Sequence, residues 1–284
     1  MIVVTGASGH LGRLVLEGLL KKVPAAEIVA AVRSPDKAKD LAARGVAVRE
    51  ADYTRPDTLD LALAGAEKVL LISSNEVGKR AEQHAAVVSA ARRARVALLA
   101  YTSILRADTS KLALAAEHKA TEDAIRAAGL PHAFLRNSWY IENYTENLAP
   151  ALEHGAIFGC AGDGRIAAAT RSDYAAAAVA VLTAPGAVKP VYELAGDQRF
   201  TMGELAAEVA RAAGKAIVYK DVPPAEYRAV LTGAGLPGPY ADLLVDSDLG
   251  IARGELDDAS GELSRLIGRP TTPLADAIAA ALRR

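Results

Sequence analysis

Cysteine is nearly absent from this chain: Cys160 is the only one in 284 residues. A lone thiol excludes a disulfide framework and a cysteine metal cluster. A small, buried, apolar role suits Cys160 better than a reactive one. Neither sign of charge dominates, since 33 Lys and Arg stand against 34 Asp and Glu for a net charge of −1. The two signs are interspersed, so there is no basic stripe of the kind that binds nucleic acid. Long apolar runs are missing too. The longest, around Ala175 to Ala184, is alanine-rich and too short to span a bilayer. The histidines lack metal-ligand spacing, and no signal-peptide pattern precedes the first strand. Internal repeats and low-complexity linkers are absent as well. These absences predict a soluble, cytoplasmic protein with no metal, nucleic-acid or membrane partner. A homodimer is compatible with them. What remains is 51% hydrophobic and 24% charged, enough for a full core. The length fits one α/β domain with a smaller C-terminal elaboration.

Strands and helices alternate through the first half, the pattern of a doubly wound, Rossmann-like parallel sheet covered on both faces. After a strand at the N-terminus, Ile28–Val32 reads as the second strand. Ser34-Pro35 then opens a helix to about Arg44. Val46–Arg49, Val69–Ile72, Ala97–Tyr101 and Ala133–Leu135 read as strands three to six. Helices start at Pro56-Asp57 and span Gly78–Ala94 and Leu112–Ala127. Past residue 140 the pattern loosens. A helix near Asn143–His154 leads to a strand at Ala156–Gly159 and a turn at Gly162-Asp163-Gly164. Ser172 is placed to cap an alanine-rich helix, and Val191–Leu194 is a further strand. Thr201 to Glu204 forms a capping box. Ile217–Tyr219 is a short strand, followed by helices from Pro224 to Ile267. The expected division is a nucleotide-binding part over 1–145 and a mixed α/β, substrate-covering part over 146–284, interleaved with the first.

The turn after the first strand carries the chemistry. Met1-Ile2-Val3-Val4 runs into Thr5-Gly6-Ala7-Ser8-Gly9-His10-Leu11-Gly12, and a helix begins within a few residues. Gly6 permits the tight turn, Gly9 clears the approach of a pyrophosphate, and Gly12 lets the helix pack against the strand. The helix start then faces the phosphates. The spacing is G-x-x-G-x-x-G, the variant associated with extended and atypical short-chain reductases. NAD sites usually place a carboxylate at the end of strand two. Here Arg33 stands there instead, suited to a 2′-phosphate and to stacking on adenine, so NADPH is the expected cofactor. Asp36 is better explained by the dipole of the following helix. Asp52 and Tyr53 stand where adenine is flanked, although Asp52 could also cap a turn. Ser73, Ser74 and Asn75, across the switch point, suit the ribose and pyrophosphate or a plain turn.

A tyrosine followed four residues later by lysine, the usual acid of this fold class, does not occur. The helix after strand five instead reads Leu114-Ala115-Ala116-Glu117-His118-Lys119-Ala120-Thr121-Glu122. His118 and Glu122 share a face. His118 is the candidate proton donor or substrate contact, or else a polar residue on a solvated face.

Several segments together resemble the NmrA-like atypical short-chain reductases, and within them the type 2 NADPH:quinone oxidoreductases and triphenylmethane reductases. They are GASGHLG, LLISSNEVGKRAEQH, AYTSILRADTS, HKATE, LRNSWYIENY, GDGRIAAATRSDYAAAA, YELAGD and LIGRPTTPL. The resemblance implies an NADPH-dependent enzyme passing hydride directly to a quinone-like small molecule, without flavin or metal. It implies that Gly6 to Leu11 and Arg33 bind phosphates and that Ser73 to Asn75 lie along the cofactor. Asn137, Ser138, Trp139, Tyr140, Ile141 and Glu142 would pass beside the nicotinamide, with Arg171 near the mouth of the site. Many relatives carry lysine where this chain has His118, which leaves the role of Lys119 open. Trp139 and Tyr140 are aromatic candidates for the acceptor surface, or a hydrophobic plug. A quinone needs little help from an internal acid, so solvent or His118 would supply the proton. The rival readings are an NADP-binding regulator without turnover, as NmrA itself is, and a carbonyl reductase.

Overall fold

The structure, a computed structural model, describes residues 1–283. Three buried residues make β1 (Ile2–Val4), and the chain turns into α1 (His10–Leu19), whose Leu11, Val15, Leu16 and Leu19 form one buried face. β2 (Ile28–Val32) is apolar and buried along its whole length, as a strand covered on both faces must be. A 3-10 turn at Pro35–Ala38 leads to the short α2 (Lys39–Ala42), so the helix expected to reach Arg44 is broken in two. Then follow β3 (Ala47–Glu50), α3 (Pro56–Leu63), β4 (Lys68–Leu71), α4 (Arg80–Ala94), β5 (Leu98–Ile104), α5 (Ala113–Ala127) and β6 (His132–Asn137).

The helix expected over 143–154 is also two: α6 (Glu142–Thr145) and α7 (Ala149–His154). Pro150 explains the break, because a proline is tolerated in a first turn but not in a helix interior. β7 (Ala156–Gly159) comes next, then α8 (Arg171–Leu182) and β8 (Val191–Leu194). α8 starts at Arg171, so its capping position falls on Thr170 rather than Ser172.

The chain forms two compact units, and the division does not fall at residue 145. The first unit comprises 1–107, 116–137 and 171–193; the second comprises 108–115, 138–170 and 194–284, described as far as residue 283. The late segment 171–193 belongs to the first unit because α8 packs along α1 and β8 extends the main sheet. That sheet has the order β3-β2-β1-β4-β5-β6-β8, and its first six strands are parallel. The order reverses between β1 and β4, and in open α/β sheets the ligand crevice lies at such a point, beyond the strands' carboxyl ends. Val3, Val29, Val69, Leu71, Leu99, Tyr101 and Phe134 belong to the core of this unit.

A buried ion cluster ties the ends of β5 and β6 to α5. Arg136 donates from Nε and Nη2 to the two oxygens of Glu122 at 2.9 and 2.7 Å, and from Nη1 to Glu193 at 2.8 Å. Ser103 Oγ donates to Glu122 at 2.7 Å. Glu122 and Arg136 are 0% and 3% exposed. The carboxylate expected to share a face with His118 is therefore committed elsewhere.

In the second unit, β7 pairs in parallel with β9 (Val218–Asp221). α9 (Met202–Ala213) opens with the expected capping box, Thr201 and Glu204 each bonding the other's backbone N–H. α10 (Pro224–Gly233), α11 (Gly238–Ala252), α12 (Glu262–Ile267) and α13 (Leu274–Leu282) complete it. Among the described residues, no helix is long and apolar enough to cross a membrane.

Two outcomes follow from this packing. A Gly→Ala change inside a helix normally gains up to ~1 kcal/mol. Gly12→Ala should instead destabilise the cofactor-free protein by about 1–3 kcal/mol, since its Cβ would lie 2.4 Å from the Gly6 carbonyl oxygen. Denaturant unfolding of the variant measures this. Glu122→Ala should cost about 3–5 kcal/mol in the same assay, because it leaves the Arg136 guanidinium buried without its main partner.

Candidate functional site

Gly6 sits at φ +59°, a conformation glycine adopts without strain, and its carbonyl accepts from the Gly9 N–H at 3.0 Å. The turn is pinned to β2 by Ala7 N–H donating to Ala31 O at 3.3 Å. A Cβ on Gly12 would also lie 2.7 Å from Ala7 Cα, so α1 approaches the turn as closely as glycine allows. Gly9 is the N-cap of α1, with no side-chain cap and no acidic residue in the first turn. A helix start of that kind offers N–H groups and the positive end of the dipole to an anion.

A cleft of about 380 Å³ opens over this turn, within the first unit. Gly6, Ser8, Gly9 and His10 line one side. Arg33 comes from the end of β2, Ala51, Asp52 and Tyr53 from the end of β3, Ile72 to Glu76 from the end of β4, and Gln83 from α4. Of the expected glycine-turn residues, Ala7, Leu11 and Gly12 are buried behind this surface rather than on it.

Arg33 is largely exposed, with Nη1 3.4 Å from Glu76 Oε1, and Lys79 Nζ lies 3.6 Å from the other Glu76 oxygen. Asp52 does both things expected of it. Its Oδ1 accepts from the Thr54 N–H at 2.9 Å and from the Thr54 hydroxyl at 2.8 Å, forming a turn, and it lines the cleft. The Thr54 amide holds the Asp52 carboxyl below its ordinary range. The Tyr53 hydroxyl lies 2.6 Å from Thr5 Oγ1 and 3.1 Å from Ile72 O, stitching the ends of β1, β3 and β4 together. Burial pushes that phenol above its ordinary range. Asp36 is not part of the cleft and pairs with Lys39 at 2.7 Å.

The loop after β4 is fixed by side chains that the sequence reading did not single out. Ser73 N–H donates to Thr102 Oγ1 at 2.9 Å and Ser74 N–H to His84 Nε2 at 2.9 Å. Ser74 O accepts from Arg80 Nε at 2.6 Å. The signal was present in KRAEQH: Arg80 and His84 are four apart in the first turns of α4, on one face and within reach of the preceding loop.

His118 is not in the cleft. It is 6% exposed, and its Nδ1 lies 2.8 Å from the Tyr101 hydroxyl. Burial, with the nearby Arg80 charge and His84, holds the imidazole well below its ordinary pKa. At neutral pH the ring is uncharged, and its contact is with Tyr101 rather than with the cleft. Lys119 forms an i, i+4 ion pair with Asp123, both about half exposed. Asn137 ends β6, buried and outside the cleft. Ser138, Trp139, Tyr140, Ile141 and Glu142 belong to the second unit. There Ser138 N–H donates to Leu194 O at 2.8 Å, Ile141 N–H donates to Ala169 O at 3.0 Å, and Trp139 O accepts from Ala169 N–H at 3.1 Å. Arg171 is the first residue of α8 in the first unit.

The cleft fits a dinucleotide on its own geometry. Glycine leaves space a side chain would fill, a helix start and Arg33 supply positive charge, and Gln83 Oε1 is buried with no hydrogen-bond partner among the described residues. Among the described residues, no group of three or more His, Cys, Asp or Glu side chains is arranged to hold a metal.

Comparison with known proteins agrees with this geometry. Quinone oxidoreductase 2 of Escherichia coli K12 is 52% identical over 278 residues, 98% of this chain and 97% of that protein. The crystal structure of the NADPH-dependent quinone oxidoreductase of Escherichia coli complexed with NADPH matches with a TM-score of 0.97 at 51% identity, covering 99% of this chain and 100% of that one. Triphenylmethane reductase of Citrobacter sp., complexed with NADP(H), matches with a TM-score of 0.95 at 42% identity, over 99% and 100%. Residues 1–252 match the model of the NmrA-like family, and with this extent of likeness the chain belongs to that family.

Proposed function

We propose that this chain is a cytoplasmic, NADPH-dependent quinone reductase. The observation that carries the proposal is the cleft over the Gly6–Gly12 turn, closed on one side by Arg33 where an NAD site would carry a carboxylate. Its likeness to the Escherichia coli quinone oxidoreductase supports the acceptor class.

The glycine turn and the first turn of α1 hold the pyrophosphate by backbone N–H groups. Arg33 takes the 2′-phosphate by charge-assisted hydrogen bonds, exchanging its contact with Glu76 for a doubly charged group. Asp52 and Tyr53 flank the adenine, and Ser73 to Asn75 form the facing wall. NADPH, when bound, supplies the hydride. The protein's part is to position donor and acceptor. The proton comes from solvent, because His118 is neutral and engaged with Tyr101 in the core.

Two measurements bear on this reading. Arg33→Ala should weaken NADPH binding by about 1.5–3 kcal/mol and leave NADH nearly unchanged in parallel fluorescence titrations. Equal losses for both cofactors would mean that Arg33 does not read the 2′-phosphate. His118→Gln should lower quinone turnover by less than about tenfold, below the usual 10²–10⁴-fold of a positioned acid. Turnover abolished with NADPH binding intact would make His118 the acid after all.

A further inference from the structure

The loop that forms the β4 side of the cleft is held from behind by a hydrogen-bonded chain that does not reach the cleft itself. A backbone amide can only donate, so the 2.9 Å contact from Ser74 N–H requires His84 Nε2 to be the unprotonated nitrogen. Nδ1 then carries the proton and donates to Thr121 Oγ1 at 2.8 Å. The Thr121 hydroxyl gives its own proton to Glu117 O at 3.0 Å, leaving its oxygen as the acceptor His84 needs. The tautomer is thus fixed from both sides. The ring is 0% exposed, so no solvent group substitutes for either partner. Edge contacts with Tyr53 at 6.2 Å and Tyr101 at 5.5 Å fix its plane. Four residues earlier on α4, Arg80 holds the carbonyl of the same Ser74 at 2.6 Å, so both ends of that residue's backbone are clamped by one helix face.

We propose that His84 is the positioning residue of the cofactor cleft, orienting the Ser74 backbone so that Ser73 to Asn75 meet the dinucleotide as a pre-formed wall. This rests on the reading that the cleft takes NADPH. His84 acts through Ser74 and touches neither cofactor nor acceptor. Binding to a pre-formed wall avoids the cost of ordering a loop, so the effect belongs in cofactor affinity rather than in the chemical step. The neutral imidazole is needed for this, and burial together with the Arg80 charge keeps it neutral by lowering its pKa to about 4.

The test compares two substitutions of similar size. In His84→Gln the side-chain oxygen can take the place of Nε2 and accept from Ser74. His84→Leu fills space without an acceptor. In the cofactor-free protein, amide hydrogen exchange at Ser74 should speed up by on the order of tenfold or more in the Leu variant and stay near the parent rate in the Gln variant, since a buried donor left unmatched opens readily. The NADPH Kd should rise on the order of tenfold in the Leu variant and by less than about threefold in the Gln variant. Turnover at saturating NADPH should change little in either. If the Leu variant does not fold, His84→Asn takes its place, because its shorter amide stops near the position of Nδ1. Equal behaviour of the Gln and Leu variants in exchange and affinity would reduce His84 to core packing and overturn the proposal. Failure of the unaltered protein to bind NADPH, with the Ser74 exchange contrast intact, would overturn the cofactor reading instead.

Discussion

A Cβ on Gly12 would stand 2.4 Å from the Gly6 carbonyl oxygen, so α1 begins where only a hydrogen atom can separate it from the turn after β1. That close approach sets the rest of the cleft. It brings the uncapped start of α1 to the carboxyl end of the central strand, with no acidic side chain in its first turn. The parallel register of β2 and β4 against β1 then brings the loops carrying Arg33 and Ser73 to the same edge. β3, paired to β2, adds Asp52 and Tyr53. Every loop that lines the cleft follows a strand anchored, directly or through one neighbour, on β1.

The electrostatics of the cleft are arranged for an anion that is not part of the chain. The Arg33 contact with Glu76 is long, at 3.4 Å, and solvent-exposed, so the pair contributes little. A phosphate offers more charge and more acceptor atoms than a carboxylate. Behind the wall the chemistry is the reverse. His84 and His118 are kept neutral by burial and by Arg80, and each is engaged within the core, His84 with Ser74 and Thr121 and His118 with Tyr101. The fold therefore separates an open surface carrying Arg33 from a buried support whose two imidazoles are uncharged and hydrogen-bonded. This suits a reaction in which the protein positions its reactants and leaves the proton to water.

The sequence makes local features legible and long-range ones obscure. The glycine turn, the missing carboxylate after β2 and the Thr201–Glu204 capping box depend on residues a few positions apart, and each is found where its spacing implies. The break in the helix expected over 143–154 also has a local cause, at Pro150. The return of residues 171–193 to the first unit is different. It depends on α8 packing against α1, more than 150 positions earlier, which the loosening of the strand–helix pattern past residue 140 does not reveal. The burial of His118 is hidden for a similar reason. On a helix rich in alanine, lysine and glutamate it reads as half-solvated, but Tyr101 from β5 draws it into the core. His84 passes unnoticed because its partner lies ten residues back across a loop, and the four-residue spacing of Arg80 and His84 is the one local sign of it.

The central claim is that this cleft serves a reductase and not only a binding protein. Its most direct test is NADPH consumption by the purified protein with 1,4-benzoquinone, without added flavin or metal. The account predicts one NADPH consumed for each quinone reduced, at a rate that saturates in both. NADPH bound to the chain but not consumed when the quinone is added would contradict it.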